Sequence, residues 1–177
     1  MKNVLIISSS PRVKSNSDSL CKYFEKGALE QGHKVDYIRL KDKKINYCLA
    51  CRYCEQTEKC FQKDDMQNLI DLVLSANVIV FATPVYYYCM SAQLKTFIDR
   101  LTPIYTKVRA DIYIFATAWD PDEKNLLSTI ESIRGCTRDC FENCPEKGVI
   151  VVENVHGKNT IEGNPKLNEA YLMGKNC

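Results

Sequence analysis

This 177-residue chain has little net charge, few glycines and no long apolar run, and each shortage excludes something. With a net charge of only +2, no electrostatic argument leads to nucleic acid or to a membrane surface. The apolar run near the start, Val4 to Ile7, is too short for the core of a secretory signal. No stretch approaches a membrane span in length. The expectation is therefore a cytoplasmic protein. The spaced-glycine dinucleotide fingerprint is missing, and so is the Gly-Lys-Ser/Thr of a P-loop. The two histidines, His33 and His156, stand far apart without acidic or cysteine neighbours at ligand spacing, and read as surface or turn residues.

Cysteine, by contrast, is abundant: there are ten. A reducing cytosol disfavours structural disulfides, so clustered cysteines there point to metal or redox chemistry. Cys48, Cys51, Cys54 and Cys60 form one group, and Cys136, Cys140 and Cys144 another. Hydrophobic residues at 45% and charged residues at 26% are ordinary for one soluble domain, here expected to span residues 1–177 with a cysteine-rich loop at about 45–63.

Hydrophobic periodicity sets out the elements. Val4 to Ser8 is a short β-branched strand. Ser17 to Gln31 carries Leu20, Phe24 and Ala28 at helical spacing, with Asn16 or Ser17 as N-cap and Gly32 past its end. Lys34 to Leu40 reads as a second strand, and Ile45 to Lys63 as a loop. Asp64 or Asp65 caps a helix bearing Met66, Leu69 and Val73. Then come a strand at 77–83, a helix at 91–101, a strand at 111–117, a helix from Asp122 to about Cys144 ended by Pro145, a strand at 148–153 and a helix at 165–175. Alternation of this kind gives an α/β three-layer sandwich with a five-stranded parallel sheet, its ligand beyond the carboxyl ends of the strands.

The loop after the first strand, Ser8-Ser9-Ser10-Pro11-Arg12-Val13-Lys14-Ser15-Asn16-Ser17, is dense in hydroxyls and ends at a helix N-terminus. Hydroxyls, amide N–H groups and a helix dipole suit a phosphate monoester. A polar turn with a serine cap explains the composition equally well.

Ser-Pro-Arg-x-x-Ser-Asn-Ser after an apolar strand resembles the phosphate loop of the NADPH-dependent FMN reductase and iron–sulfur flavoprotein group, which is flavodoxin-like. Ala82-Thr83-Pro84-Val85-Tyr86, Met90-Ser91-Ala92-Gln93-Leu94-Lys95 and Phe97-Ile98-Asp99-Arg100 add to the likeness, as does the ending Leu167-x-x-Ala170-Tyr171-x-x-Gly174-Lys175. The resemblance implies an FMN phosphate held by Ser9, Ser10, Pro11, Arg12, Ser15, Asn16 and Ser17. It implies an isoalloxazine ring against Pro84, Val85, Tyr86, Tyr87 and Tyr88, closed on its other side by Thr117, Ala118 and Trp119. Trp119 stands where a small residue is expected, and suits a flavin cover and a subunit rim equally. The tyrosine run suits a strand end packed on the core as well as a flavin site.

Cys48-x2-Cys51-x2-Cys54-x5-Cys60 fits the compact motif of the iron–sulfur flavoproteins, implying a 4Fe-4S cluster. Structural zinc, or a thiol loop with no metal, remains open beside it. The second cysteine group reads as a small-residue helix face, Asp99 and Arg100 as ordinary polar contacts, and Lys41 to Lys44 as a solvated charge run. The activity implied is transfer of electrons from NAD(P)H through FMN to quinone, free flavin or another small acceptor, in a homodimer or homotetramer. The alternatives are an FMN and 4Fe-4S electron carrier fed by ferredoxin, and a cysteine-based redox sensor without turnover.

Overall fold

Strand β1 (Asn3–Ser8) alternates its side chains between two cores: Val4 and Ile6 on one face of the sheet, Leu5 and Ile7 on the other. Burial on both faces is why the strand reads as an unbroken apolar run. The computed structural model describes residues 1–177. With β2 (Lys34–Arg39), β3 (Val78–Pro84), β4 (Asp111–Thr117) and β5 (Glu146–Val152), β1 builds a five-stranded sheet in the order β2-β1-β3-β4-β5, every pairing parallel. This is the flavodoxin-like order, and strand direction of travel reverses between β1 and β3.

Helices α1 (Asn16–Glu30) and α6 (Lys166–Lys175) cover one face through Leu20, Phe24, Leu167 and Ala170. Helices α3 (Met66–Ser75), α4 (Ala92–Asp99) and α5 (Leu127–Thr137) cover the other through Leu69, Val73, Leu94, Phe97, Ile130 and Ile133. The short helix α2 (Tyr53–Thr57) is one turn inside the cysteine loop. No helix is long and apolar enough to cross a membrane.

The structure refines three sequence expectations. The cap of α1 is Ser15, whose hydroxyl accepts the Asp18 N–H at 3.1 Å, rather than Asn16 or Ser17. Of the two candidates at the start of α3, Asp64 accepts the Met66 N–H at 3.1 Å while pairing with Arg100, whereas Asp65 makes no side-chain cap and accepts the Lys44 N–H instead. Helix α5 ends at Thr137 rather than near Cys144. Phe141 turns back into the core with its N–H on the Cys136 carbonyl, and Asn143 adopts a left-handed φ of 53°. Cys136, Cys140 and Cys144 therefore do not share one helical face.

Candidate functional site

At the switch point between β1 and β3, four loops leave carboxyl ends of strands and enclose one cleft. The first runs from β1 into α1. Ser9 points away from the cleft: its N–H and hydroxyl both donate to the Ala82 carbonyl at 2.9 Å, and it accepts from the Ser91 hydroxyl at 2.9 Å. It locks β1, β3 and α4 together beneath the site. Ser10, Arg12, Ser15, Asn16 and Ser17 line the cleft, whereas Pro11 stays outside it. Ser15, Asn16 and Ser17 are buried, yet no group of the protein accepts the N–H of Asn16 or Ser17. Donors without acceptors at a helix N-terminus suit an anion by chemistry and by dipole.

Asn16 uses its side chain elsewhere. Its amide donates to the Gly157 carbonyl at 3.0 Å and the Thr160 hydroxyl at 3.2 Å, and its oxygen accepts the Ile161 N–H at 3.3 Å. It thus ties the loop after β5 to α1, while its main-chain N–H faces the cleft. Below, Asp18 accepts from Ser8 at 2.5 Å, Tyr37 at 3.0 Å and Arg39 at 2.8 Å. Arg39 also donates to the Arg12 carbonyl at 3.0 Å, fixing the loop's outer bend. Burial, and then the negative neighbours Cys21 and Asp18, push the Tyr37 hydroxyl far above its ordinary value, so it remains a donor.

Of the loop after β3, Pro84, Val85 and Tyr86 line the cleft and Tyr87 and Tyr88 do not. Tyr86 and Cys89 exchange hydrogen bonds at 3.0 Å across a tight turn whose tip residues, Tyr87 and Tyr88, have φ of 50° and 57°. Two aromatic residues in the left-handed region cost about 1–2 kcal/mol each. The Tyr88 hydroxyl is held by Asp120 at 3.0 Å. The loop after β4 contributes Thr117, Ala118 and Trp119.

Val155, His156 and Gly157 complete the wall; His156 is the exposed loop residue the sequence suggested, and it also lines the cleft. The His156 ring lies 4.9 Å from the Trp119 ring, inclined at 54°, and Arg12 donates to the His156 carbonyl at 3.3 Å. The available signal was topological: β5 ends on the same rim as β1, β3 and β4, so its following loop belongs to the site.

The four cysteines of the first group line one separate cleft, walled on its inner side by Asp99 and Arg100. Ala50, Arg52 and Glu58, all non-glycine, adopt left-handed φ of 51°, 61° and 54°, curling the backbone between and beyond the cysteines. The Cys54 thiol is pushed up by burial first, then by Cys60, Cys48 and Cys51, which lie close enough to repel a thiolate. No three acidic, histidine or cysteine groups converge on a single-ion point. Arg100 is not an ordinary surface contact. Its side chain is 1% exposed and pairs with Asp64, 4% exposed, at 2.7 Å. Burial opposes ionisation of Asp64, but hydrogen bonds from Arg100, Asn46 and Met66 outweigh it and hold the carboxyl below its ordinary range.

The two clefts share no lining residue. Helix α4 joins them: Ser91 before its start touches Ser9, and Arg100 follows its end about 13 Å further on.

The family model described as NADPH-dependent FMN reductase matches residues 2–118. An iron-sulfur flavoprotein of Archaeoglobus fulgidus is 36% identical over 129 residues, covering 70% of this chain and 58% of the relative. An iron-sulfur flavoprotein of Methanocaldococcus jannaschii is 35% identical over 101 residues, covering 57% and 52%. The chain thus spans about half the length of the curated relatives it matches. Among solved structures, an NAD(P)H:quinone oxidoreductase from Methanothermobacter marburgensis superposes with a TM-score of 0.73 at 20% identity, covering 99% of this chain and 95% of the other. An azoreductase from Bacillus anthracis superposes at 0.74 with 15% identity and full coverage of both chains. These structural likenesses extend to the fold.

Proposed function

Since the chain belongs to the NADPH-dependent FMN reductase family, we propose that it is an FMN-dependent oxidoreductase taking electrons from NAD(P)H and passing them to a small acceptor, quinone or free flavin. The observation that carries this reading is the pair of buried, acceptor-free N–H groups of Asn16 and Ser17 at the α1 N-terminus, inside the switch-point cleft. FMN, when bound, supplies the redox chemistry. The chain supplies binding, orientation and electrostatics. The α1 N-terminus, the hydroxyls of Ser10, Ser15 and Ser17, and Arg12 neutralise the phosphate. Pro84 to Tyr86 and Thr117 to Trp119 would hold the ring, and Trp119 with His156 would shield it from water. No acid or base is assigned. Titration of the flavin-free chain tests the phosphate site: FMN is expected to bind at least about a hundredfold tighter than riboflavin, about 2.8 kcal/mol. Equal affinity for the two would sink the assignment.

A second reading has its own observation, the four cysteines lining one cleft. Here the cleft holds a 4Fe-4S cluster and the chain is an electron carrier with ferredoxin as donor. Iron, sulfide, zinc and flavin are measured on one sample purified without oxygen, and NAD(P)H is then added. Bleaching of the flavin by NAD(P)H favours the reductase. About four irons per chain with no bleaching favours the carrier.

A further inference from the structure

Arg100 is the largest fully buried side chain in the protein. A guanidinium removed from water has to be paired and hydrogen-bonded. Its two terminal nitrogens are: one donates to Asp64 and to the Asn46 carbonyl, both at 2.7 Å, and the other to Asp64 at 3.0 Å. Asp64 in turn accepts the Asn46 N–H at 3.0 Å. These bonds clamp the neck of the cysteine loop, joining residues 46 and 64 through the end of α4.

The clamp does not account for the third nitrogen. Nε of Arg100 is buried and has no hydrogen-bond partner. A buried donor left unmade on a charged group is costly. Because the carboxylate is gripped end-on by the terminal nitrogens, the Nε–H is left free. Arg100 lines the cysteine cleft, and Arg100 and Cys60 also meet in the wall of a second, adjoining cleft. Cys60 is the one residue that lines both clefts together with Arg100, so its sulfur is the acceptor at hand.

We infer that Arg100 is a positioning residue for the sulfur site: its free Nε–H donates to a sulfur of the loaded site at Cys60, fixing that ligand and raising the reduction potential. The inference rests on the cluster reading above. A hydrogen bond and a positive charge beside a sulfur both favour the electron-richer state. Lysine offers no equivalent, because its single ammonium cannot hold a carboxylate with two nitrogens and a sulfur with a third.

The test uses the full chain labelled with 15N-arginine and loaded anaerobically with ferrous iron and sulfide. Pulsed EPR of the reduced sample should show a 15N coupling. Arg100→Lys keeps a charge beside Asp64 but lacks Nε. It should retain iron, lose the coupling and favour the oxidised form about tenfold more, a midpoint lower by about 59 mV. Arg138→Lys, at an exposed guanidinium paired with Asp139 and Glu131 away from both sites, should change neither. Iron-loaded wild type without a 15N coupling overturns the inference and leaves the cluster reading standing. An unchanged midpoint in Arg100→Lys also overturns it. Wild type that takes up no iron and sulfide overturns both. If Arg100→Lys fails to fold, the coupling in wild type decides.

Discussion

Asn16 divides its groups between two tasks. Its main-chain N–H has no acceptor within the protein, while its side chain holds the loop at 157–161 that carries the wall beside His156. Ser15 caps the helix whose dipole serves the same site. Replacing both with alanine is expected to weaken FMN binding at least about tenfold, about 1.4 kcal/mol, and to cost about 1 kcal/mol of stability through the lost cap. Cofactor titration and urea unfolding separate the two effects. Asp64 makes a pH prediction. Its carboxyl is held below its ordinary value in the folded chain. The stability it contributes is therefore complete above about pH 4, and is lost as pH falls through the depressed value. The advantage of wild type over Asp64→Asn in urea unfolding should be constant near neutrality and shrink below about pH 4. An advantage that grew on acidification would refute the ion pair as described.

Helices α1 and α6 cross at glycines, and this contact sets how closely the face beneath the anion site can pack. A Cβ on Gly174 would lie 2.0 Å from the Phe24 carbonyl oxygen, and one on Gly27 would lie 2.2 Å from that of Tyr171. Both obstacles are backbone, so neither side can yield cheaply. Gly174→Ala should cost about 3 kcal/mol, a fall in Tm of roughly 6–12 °C for a chain of this size. Gly135 in α5 is the converse, with nothing within 4 Å of its would-be Cβ. Gly135→Ala should stabilise by about 0.5–1 kcal/mol, because alanine loses less backbone freedom on folding. Calorimetry of the two variants reads opposite shifts.

Across the whole molecule, two candidate redox sites sit on separate surfaces joined by one rigid helix. The cleft at the switch point is built from four strand ends, whereas the cysteine cleft is built from a loop clamped against the end of α4. Because no residue lines both, the sites should load independently. Cys51→Ser is expected to lower iron per chain by more than half and to leave FMN content within about a tenth of wild type, consistent with separate binding energies. Parallel loss of flavin and iron would show that the loop and the flavin site fold as one unit.

A five-stranded parallel sheet was within reach of the sequence because fully buried parallel strands must be apolar on both faces, and short β-branched runs separated by helical periods imply right-handed crossovers. That the loop after β1 lines a cleft was legible for a similarly local reason: it leaves the carboxyl end of a strand and runs straight into a helix start. The cysteine spacing pointed to one shared cleft because three-residue steps in a curled loop keep side chains together. Long-range partners were not legible. Ser9, a hydroxyl like its neighbours, turns inward because the Ala82 carbonyl and Ser91 are there to meet it. His156 joins the site through the parallel register that brings β5 to the same rim. Arg100 reads as an ordinary helix-end charge until Asp64 and Asn46, 36 and 54 residues away, enclose it. Local backbone preference and hydrophobic period are written residue by residue, so the sequence by itself determined the elements, their order and the chemistry carried on each loop. Which polar group meets which depends on segments distant in the chain converging in space, and only the tertiary structure decided that.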